Sequence, residues 1–132
     1  MNERETMNRR VITTDRAPLP IGPYSQAIAA GELLFISGQI PLDPADGNIE
    51  GSTIGEQAHR ALENLFAVLS ADRLTCENIV KTTVFLADIT DFPEFNRIYE
   101  AMLGEARPAR SVVAVAGLPK GVRVEIEAIA CR

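Results

Sequence analysis

The closing run Val122-Arg123-Val124-Glu125-Ile126-Glu127-Ala128-Ile129-Ala130 alternates its side-chain chemistry with a period of two. That is the period of a β-strand, whose successive side chains point to opposite faces of a sheet. Val122, Val124, Ile126, Ala128 and Ala130 share an apolar face, and Arg123, Glu125 and Glu127 make the other face mostly charged. Such a strand belongs to a sheet with helices packed on one face. The rest of the chain must therefore supply neighbouring strands and helical cover.

Two stretches have the helical period. Thr53-Ile54-Gly55-Glu56 is a capping box. Behind it, Ala58, Ala61, Leu62, Leu65, Val68 and Leu69 recur at helical spacing, which predicts a helix from about Ile54 to Ala71 with Glu56 and Arg60 paired on its outer face. Asp91 reads as the cap of a second helix, with Pro93 in its first turn and Glu94 at the third position. Phe92, Phe95, Ile98, Tyr99, Met102 and Leu103 form its stripe, and Gly104 ends it. Strands are expected at Val11–Thr14, Gln26–Ala30, Leu33–Ile36, Val80–Leu86 and after Pro108. Leu33–Ile36 reads as too apolar to face water on either side. The order β-β-β-α-β-α-β-β gives an α+β fold, a mixed β-sheet with two helices packed on one face.

At 132 residues this is one domain, with 1–10 as a charged, flexible N-terminal tail and 11–132 as the folded unit. The net charge of −5 argues against a general affinity for nucleic acid, which needs clustered positive charge. No apolar run reaches the roughly 20 residues that cross a bilayer, so no membrane partner is expected. Cys76 and Cys131 stand in no motif, which fits a reducing, cytoplasmic setting. His59 lies on a charged helix face with no second ligand nearby, so a metal role is not expected.

Candidate site residues lie at the ends of strands and loops. In Pro108-Ala109-Arg110-Ser111-Val112-Val113 a loop feeds a strand, with one cation at its mouth. An arginine fork over a small apolar floor holds a carboxylate by two parallel hydrogen bonds, although a surface arginine paired with a nearby acid fits the same spacing. The stiff loop Ala17-Pro18-Leu19-Pro20-Ile21-Gly22-Pro23 ends on Tyr24, either a positioned phenol or a packed ring. Ser37-Gly38-Gln39 offers a glycine that lets backbone or ligand approach closely. Asn96 sits off the centre of its helix stripe, where a solvent-facing side chain is the alternative. Glu125 points away from the helices, as a site acid or an exposed one. If the Arg110 strand neighbours the last strand, Glu125 and Arg110 share a site.

Several blocks, in order, resemble the RidA (YjgF/YER057c/UK114) family of reactive intermediate imine deaminases. They are Ile21-Gly22-Pro23-Tyr24-Ser25-Gln26, Phe35-Ile36-Ser37-Gly38-Gln39-Ile40-Pro41, Ile79-Val80-Lys81-Thr82-Thr83-Val84-Phe85, Asp91-Phe92, Asn96 and Tyr99-Glu100-Ala101. Pro108-Ala109-Arg110-Ser111, Leu118-Pro119-Lys120 and Val124-Glu125-Ile126-Glu127-Ala128 complete the set. The resemblance covers about Thr13 to Arg132. It implies a chorismate-mutase-like (YjgF-type) fold and a homotrimer with ligand pockets between subunits. The implied reaction is hydrolysis of 2-aminoacrylate, 2-aminocrotonate and similar enamine/imine intermediates to 2-keto acids and ammonia, protecting pyridoxal-phosphate enzymes. No cofactor or metal is implied.

By position, Arg110 matches the family's carboxylate clamp and Glu125 the acid that holds or activates water. Tyr24, Ser37, Gly38 and Asn96 match other pocket positions. Val112 stands where many bacterial members carry cysteine, so no thiol nucleophile is available there. Two alternatives remain open: a regulatory trimer that binds a keto acid without turnover, and a pathway-specific deaminase for an aminomuconate-like or aminoacrylate-derived substrate. A ribonuclease activity, reported for some relatives, fits the acidic balance poorly.

Overall fold

A computed structural model describes residues 8–132. The closing strand, β6 (Val124–Cys131), runs through the middle of a six-stranded sheet. Its even residues Val124, Ile126, Ala128 and Ala130 are buried, as the alternation requires. The other strands are β1 (Arg9–Ile12), β2 (Ala27–Ala30), β3 (Leu33–Gln39), β4 (Ile79–Leu86) and β5 (Ala109–Ala114), in the spatial order β1-β2-β3-β6-β4-β5. Every neighbouring pair is antiparallel except β4 and β5. Those two are parallel because a helix separates them in sequence and returns the chain to the same end. The sheet is thus mixed, as expected.

Helix α1 (Ile54–Ala71) and helix α2 (Phe92–Leu103) cover one face. The capping box forms as read, with Thr53 accepting from the Glu56 backbone and Glu56 accepting from the Thr53 backbone. Ala58, Ala61, Leu62, Leu65, Val68 and Leu69 are fully buried against the sheet. Each large aliphatic chain so placed contributes about 1.5–3 kcal/mol. Helix α2 stops at Gly104, whose φ of 60° suits a residue without a β-carbon. No helix of the described residues is long and apolar enough to cross a membrane.

The structure corrects several expectations. Strand β1 includes Arg9 and Arg10, which the sequence reading leaves in the tail, and stops before Thr13. The tail's residues 1–7 lie outside those described. Leu33–Ile36 is not buried on both faces: Leu34 and Ile36 are, but Leu33 is 37% and Phe35 43% exposed. The sheet face away from the helices has no cover within a single chain. Glu56 is occupied by the cap, so Arg60 instead donates to Asn64 at 3.1 and 2.7 Å and lies near Glu63. Asp91 precedes α2 without capping it, because its carboxylate pairs with Arg123 at 3.3 Å.

Buried amides fasten the loops to the core. Gln26 donates to the carbonyls of Thr14, Ala17 and Pro18 and accepts from the Thr14 backbone at 2.7 Å. It thereby pins the start of the proline-rich loop. Asn64 donates to the carbonyls of Ile40 and Leu42, and Gln57 joins Gly51 to Arg123. These bonds satisfy backbone groups that burial would otherwise leave unpaired.

Candidate active site in two halves

Arg110 follows Ala109 at the start of β5 and is the register partner of Thr82, so both side chains lie on the helix-covered side. On α2, Phe92, Asn96 and Tyr99 stand at helical spacing and face it. Arg110 Nη1 donates to Asn96 Oδ1 at 2.8 Å. Its guanidinium carbon lies 4.7 Å from the centroid of the Tyr99 ring and 5.5 Å from that of Phe92. Burial pushes the Tyr99 phenol up, against opposing effects of its bond to Thr82 and the Arg110 charge, so it stays a neutral phenol. Among the described residues no carboxylate pairs with Arg110. This half-buried cation therefore keeps most of its five N–H donors for an outside acceptor. A cleft of about 430 Å³ opens beside it, lined also by Glu100, Arg107 and Pro108. Val112, on the same side of β5, is half-buried against the core.

The second half lies on the open face. Tyr24, Ser37, Gly38, Glu125 and Glu127 line a cleft of about 420 Å³ together with Ile21. Gln26 holds the loop that presents Tyr24, a residue 50% exposed. The Ser37 hydroxyl donates to the Ser25 carbonyl at 2.6 Å, so its proton is already spent on the loop. Gly38 lies beneath the Glu125 carboxyl group. A β-carbon there would stand 2.7 Å from Cδ and 2.9 Å from Cγ of Glu125, too close for real atoms. Burial, and after it the nearby Glu127 charge, raise Glu125 above the usual carboxylate range. A carboxyl group set this way exchanges a proton more readily near neutral pH than an ordinary exposed one.

The chain does not bring these halves together. Strand β4 separates β5 from β6, so the condition under which Arg110 and Glu125 would share a site within one chain, adjacent strands, is not met. Glu125 is in register with Phe85 and so with Val113, whereas Arg110 is in register with Thr82 and so with Ala128. Phe85 lies on the open face and Thr82 on the buried one. Arg110 and Glu125 thus point to opposite sides of one sheet. Arg110, Asn96 and Val112 form one group, and Tyr24, Ser37, Gly38 and Glu125 the other.

Sequence reasoning passed over Tyr99, which it placed among apolar stripe residues, and Glu127. The three-residue step from Asn96 to Tyr99 puts both on one helix face and is the signal that marks Tyr99 as part of the site. Among the described residues no group of three or more His, Cys, Asp and Glu side chains is gathered as metal ligands.

A family model described as endoribonuclease L-PSP matches residues 14–132. The chain is 50% identical over 122 residues to a RutC family protein of Pyrococcus horikoshii, covering 92% of this chain and 97% of that one. It is 48% identical over 122 residues to the human 2-iminobutanoate/2-iminopropanoate deaminase, covering 92% and 89%. The crystal structure of E. coli TdcF with bound serine superposes with a TM-score of 0.89 at 44% identity, covering 93% and 98%. Matched by the family model over all but its first residues, and nearly half identical to relatives along its length, the chain belongs to the endoribonuclease L-PSP family, the YjgF/RidA proteins that its motifs resemble.

Proposed function

We propose that this protein hydrolyses 2-enamine and 2-imino acids to 2-keto acids and ammonia, at sites completed between copies of the chain in a homotrimer. The observation that carries the reading is Arg110: half-buried, seated over two rings and paired with no carboxylate of the described residues. A guanidinium so placed suits a planar carboxylate bound by two parallel N–H bonds. Relatives named 2-iminobutanoate/2-iminopropanoate deaminase support the reaction class, and the serine of the TdcF structure is itself a 2-amino acid with a carboxylate.

Because Glu125 lies on the other side of the sheet, a working site needs the Glu125 half of a second copy. Val11, Leu33, Phe35 and Val113, exposed on the open face, are the apolar surface that such copies cover. In this arrangement Arg110 and Asn96 come from one subunit, and Tyr24, Gly38 and Glu125 from its neighbour. The enamine first tautomerises to the imine. Arg110 holds the carboxylate, and Glu125 takes a proton from water as the oxygen bonds to the imine carbon. Glu125 then returns the proton to nitrogen, giving the carbinolamine. Glu125 next carries the carbinolamine hydroxyl proton to nitrogen, the carbon–nitrogen bond breaks as the carbon–oxygen double bond forms, and ammonia leaves with the keto acid behind. Imines hydrolyse in water unaided, so orientation and proton relay suffice. Val112 offers no thiol, and this route needs none. In this reading the intermediates come from pyridoxal-phosphate enzymes of the cytoplasm, and their hydrolysis protects those enzymes.

The test couples the purified protein to a threonine dehydratase with threonine and follows 2-ketobutyrate release. Arg110→Ala should lower the acceleration about 10- to 150-fold, the worth of a charge-assisted pair. Equal rates for variant and wild type would remove Arg110 from the site. A second reading, binding of a 2-amino or 2-keto acid without turnover, is favoured by the serine bound to TdcF. It requires wild type to bind 2-ketobutyrate through Arg110 yet leave its release unaccelerated.

A further inference from the structure

We propose that Tyr99, braced by Thr82, is a positioning residue that sets the Arg110 guanidinium, an inference that rests on Arg110 being the carboxylate clamp proposed above. Three links close a ring. Thr82 is the strand partner of Arg110 across β4 and β5. The Thr82 hydroxyl and the Tyr99 phenol share a hydrogen bond of 2.8 Å between α2 and β4. The Tyr99 ring lies under the Arg110 guanidinium, 4.7 Å from centroid to Cζ. The bond ties the ring's height to β4, at the residue directly beside Arg110 on the neighbouring strand β5.

Filling space does not require these residue types. Thr82 is 0% and Tyr99 8% exposed, and in such a place valine and phenylalanine would pack without a buried polar pair. What the pair adds is a fixed ring. Phe95 backs Tyr99 at 5.6 Å between centroids, so the ring has support from its own helix as well. The choice of a ring over an acid has a chemical consequence. A carboxylate under Arg110 would neutralise it and occupy its fork. An aromatic face attracts the cation and uses none of its N–H groups. With one donor on Asn96, four of five stay available to a bound acid.

The test uses the whole protein and four variants: Tyr99→Leu, Tyr99→Phe, Thr82→Val and the double change Thr82→Val with Tyr99→Phe. The first readout needs no ligand: the Arg110 Nε–H resonance, assigned by its loss in Arg110→Ala. Tyr99→Leu should move it, since the ring current is gone, and Tyr99→Phe should largely keep it. The second readout is affinity for 2-ketobutyrate and for its methyl ester. Tyr99→Leu should weaken the acid about 5- to 30-fold and the ester little, with kcat/KM on the imine falling by about the same factor as the acid affinity. Tyr99→Phe keeps the ring but loses the bond to Thr82, so it should stop at about the same two- to fivefold loss of acid affinity as Thr82→Val. Thr82→Val keeps side-chain size and carries the test if Tyr99→Leu does not fold; it should weaken the acid about two- to fivefold. The double variant should recover stability but not the acid affinity. An unmoved Arg110 resonance in Tyr99→Leu, or equal losses for acid and ester, would overturn the proposal. If wild type binds neither compound while the resonance still moves, the positioning stands and the functional reading fails.

Discussion

Gly38→Ala is a small change with a large expected effect. The new β-carbon would sit 2.7 Å from Cδ and 2.9 Å from Cγ of Glu125, so the Glu125 side chain must leave its place. It is the end of a flexible chain on the open face, and moving it to another rotamer costs about 0.5–1.5 kcal/mol. Gly38 has no left-handed backbone that alanine would strain, and alanine in a strand regains about 0.5–1 kcal/mol over glycine. Net stability should therefore stay within about 1 kcal/mol, a Tm shift of a few degrees for a chain of this size. Activity should not survive as well. A displaced proton carrier loses the general acid–base contribution, typically 10²- to 10⁴-fold. The assay is kcat for 2-ketobutyrate release beside thermal unfolding of the same sample. Near-normal kcat at near-normal Tm would refute the idea that Glu125 works from its seat over Gly38. A collapse in Tm would refute the argument that the clash is relieved by side-chain movement alone.

Three further outcomes are expected, two at Glu125 and one at the buried Asn64. Glu125→Gln should cut turnover about 10²-fold or more while leaving 2-ketobutyrate affinity within a few-fold, measured by steady-state kinetics and calorimetry. The folded state raises the Glu125 carboxyl above its unfolded value, mainly by burial, so the native protein binds more protons there than the unfolded chain. Stability from this group is thus full below the unfolded carboxylate range and is lost as pH rises through the raised value. Denaturant titrations should accordingly show Glu125→Gln gaining on wild type from acid to neutral pH, and a constant difference would contradict the sign. Asn64→Leu leaves the Ile40 and Leu42 carbonyls and the Arg60 donors without their partner and should cost about 2–4 kcal/mol in the same titrations.

Helix α1 was legible in the sequence because two independent signals agree, the Thr53–Glu56 box and the apolar spacing behind it. The orientation of Glu125 was legible because alternation alone assigns a face. Alternation does not assign strand order, so nothing in the chain revealed that β4 lies between Arg110 and Glu125. Leu33 and Phe35 misled for a related reason: their apolar character suits a surface that one chain leaves open. The residues of the Arg110 half were within reach, since Asn96 and Tyr99 share a helix face, but Tyr99 reads equally well as core and is in fact both. Gln26, Gln57 and Asn64 gave no signal, because a buried amide answers to carbonyls far away in sequence rather than to a local period.

The central claim is that one chain supplies Arg110 and another supplies Glu125 to each site. It is tested most directly by mixing two impaired chains, Arg110→Ala and Glu125→Gln, unfolding them together and refolding in equal amounts. In a cyclic trimer with sites between neighbours, random assembly gives an intact pairing at about a quarter of the sites. Acceleration of 2-ketobutyrate release should return to about a quarter of the wild-type value, from two preparations that each retain about a tenth of it or less. If the refolded mixture, trimeric by size, stays at the level of its parents, the site is not shared between chains and the account is wrong.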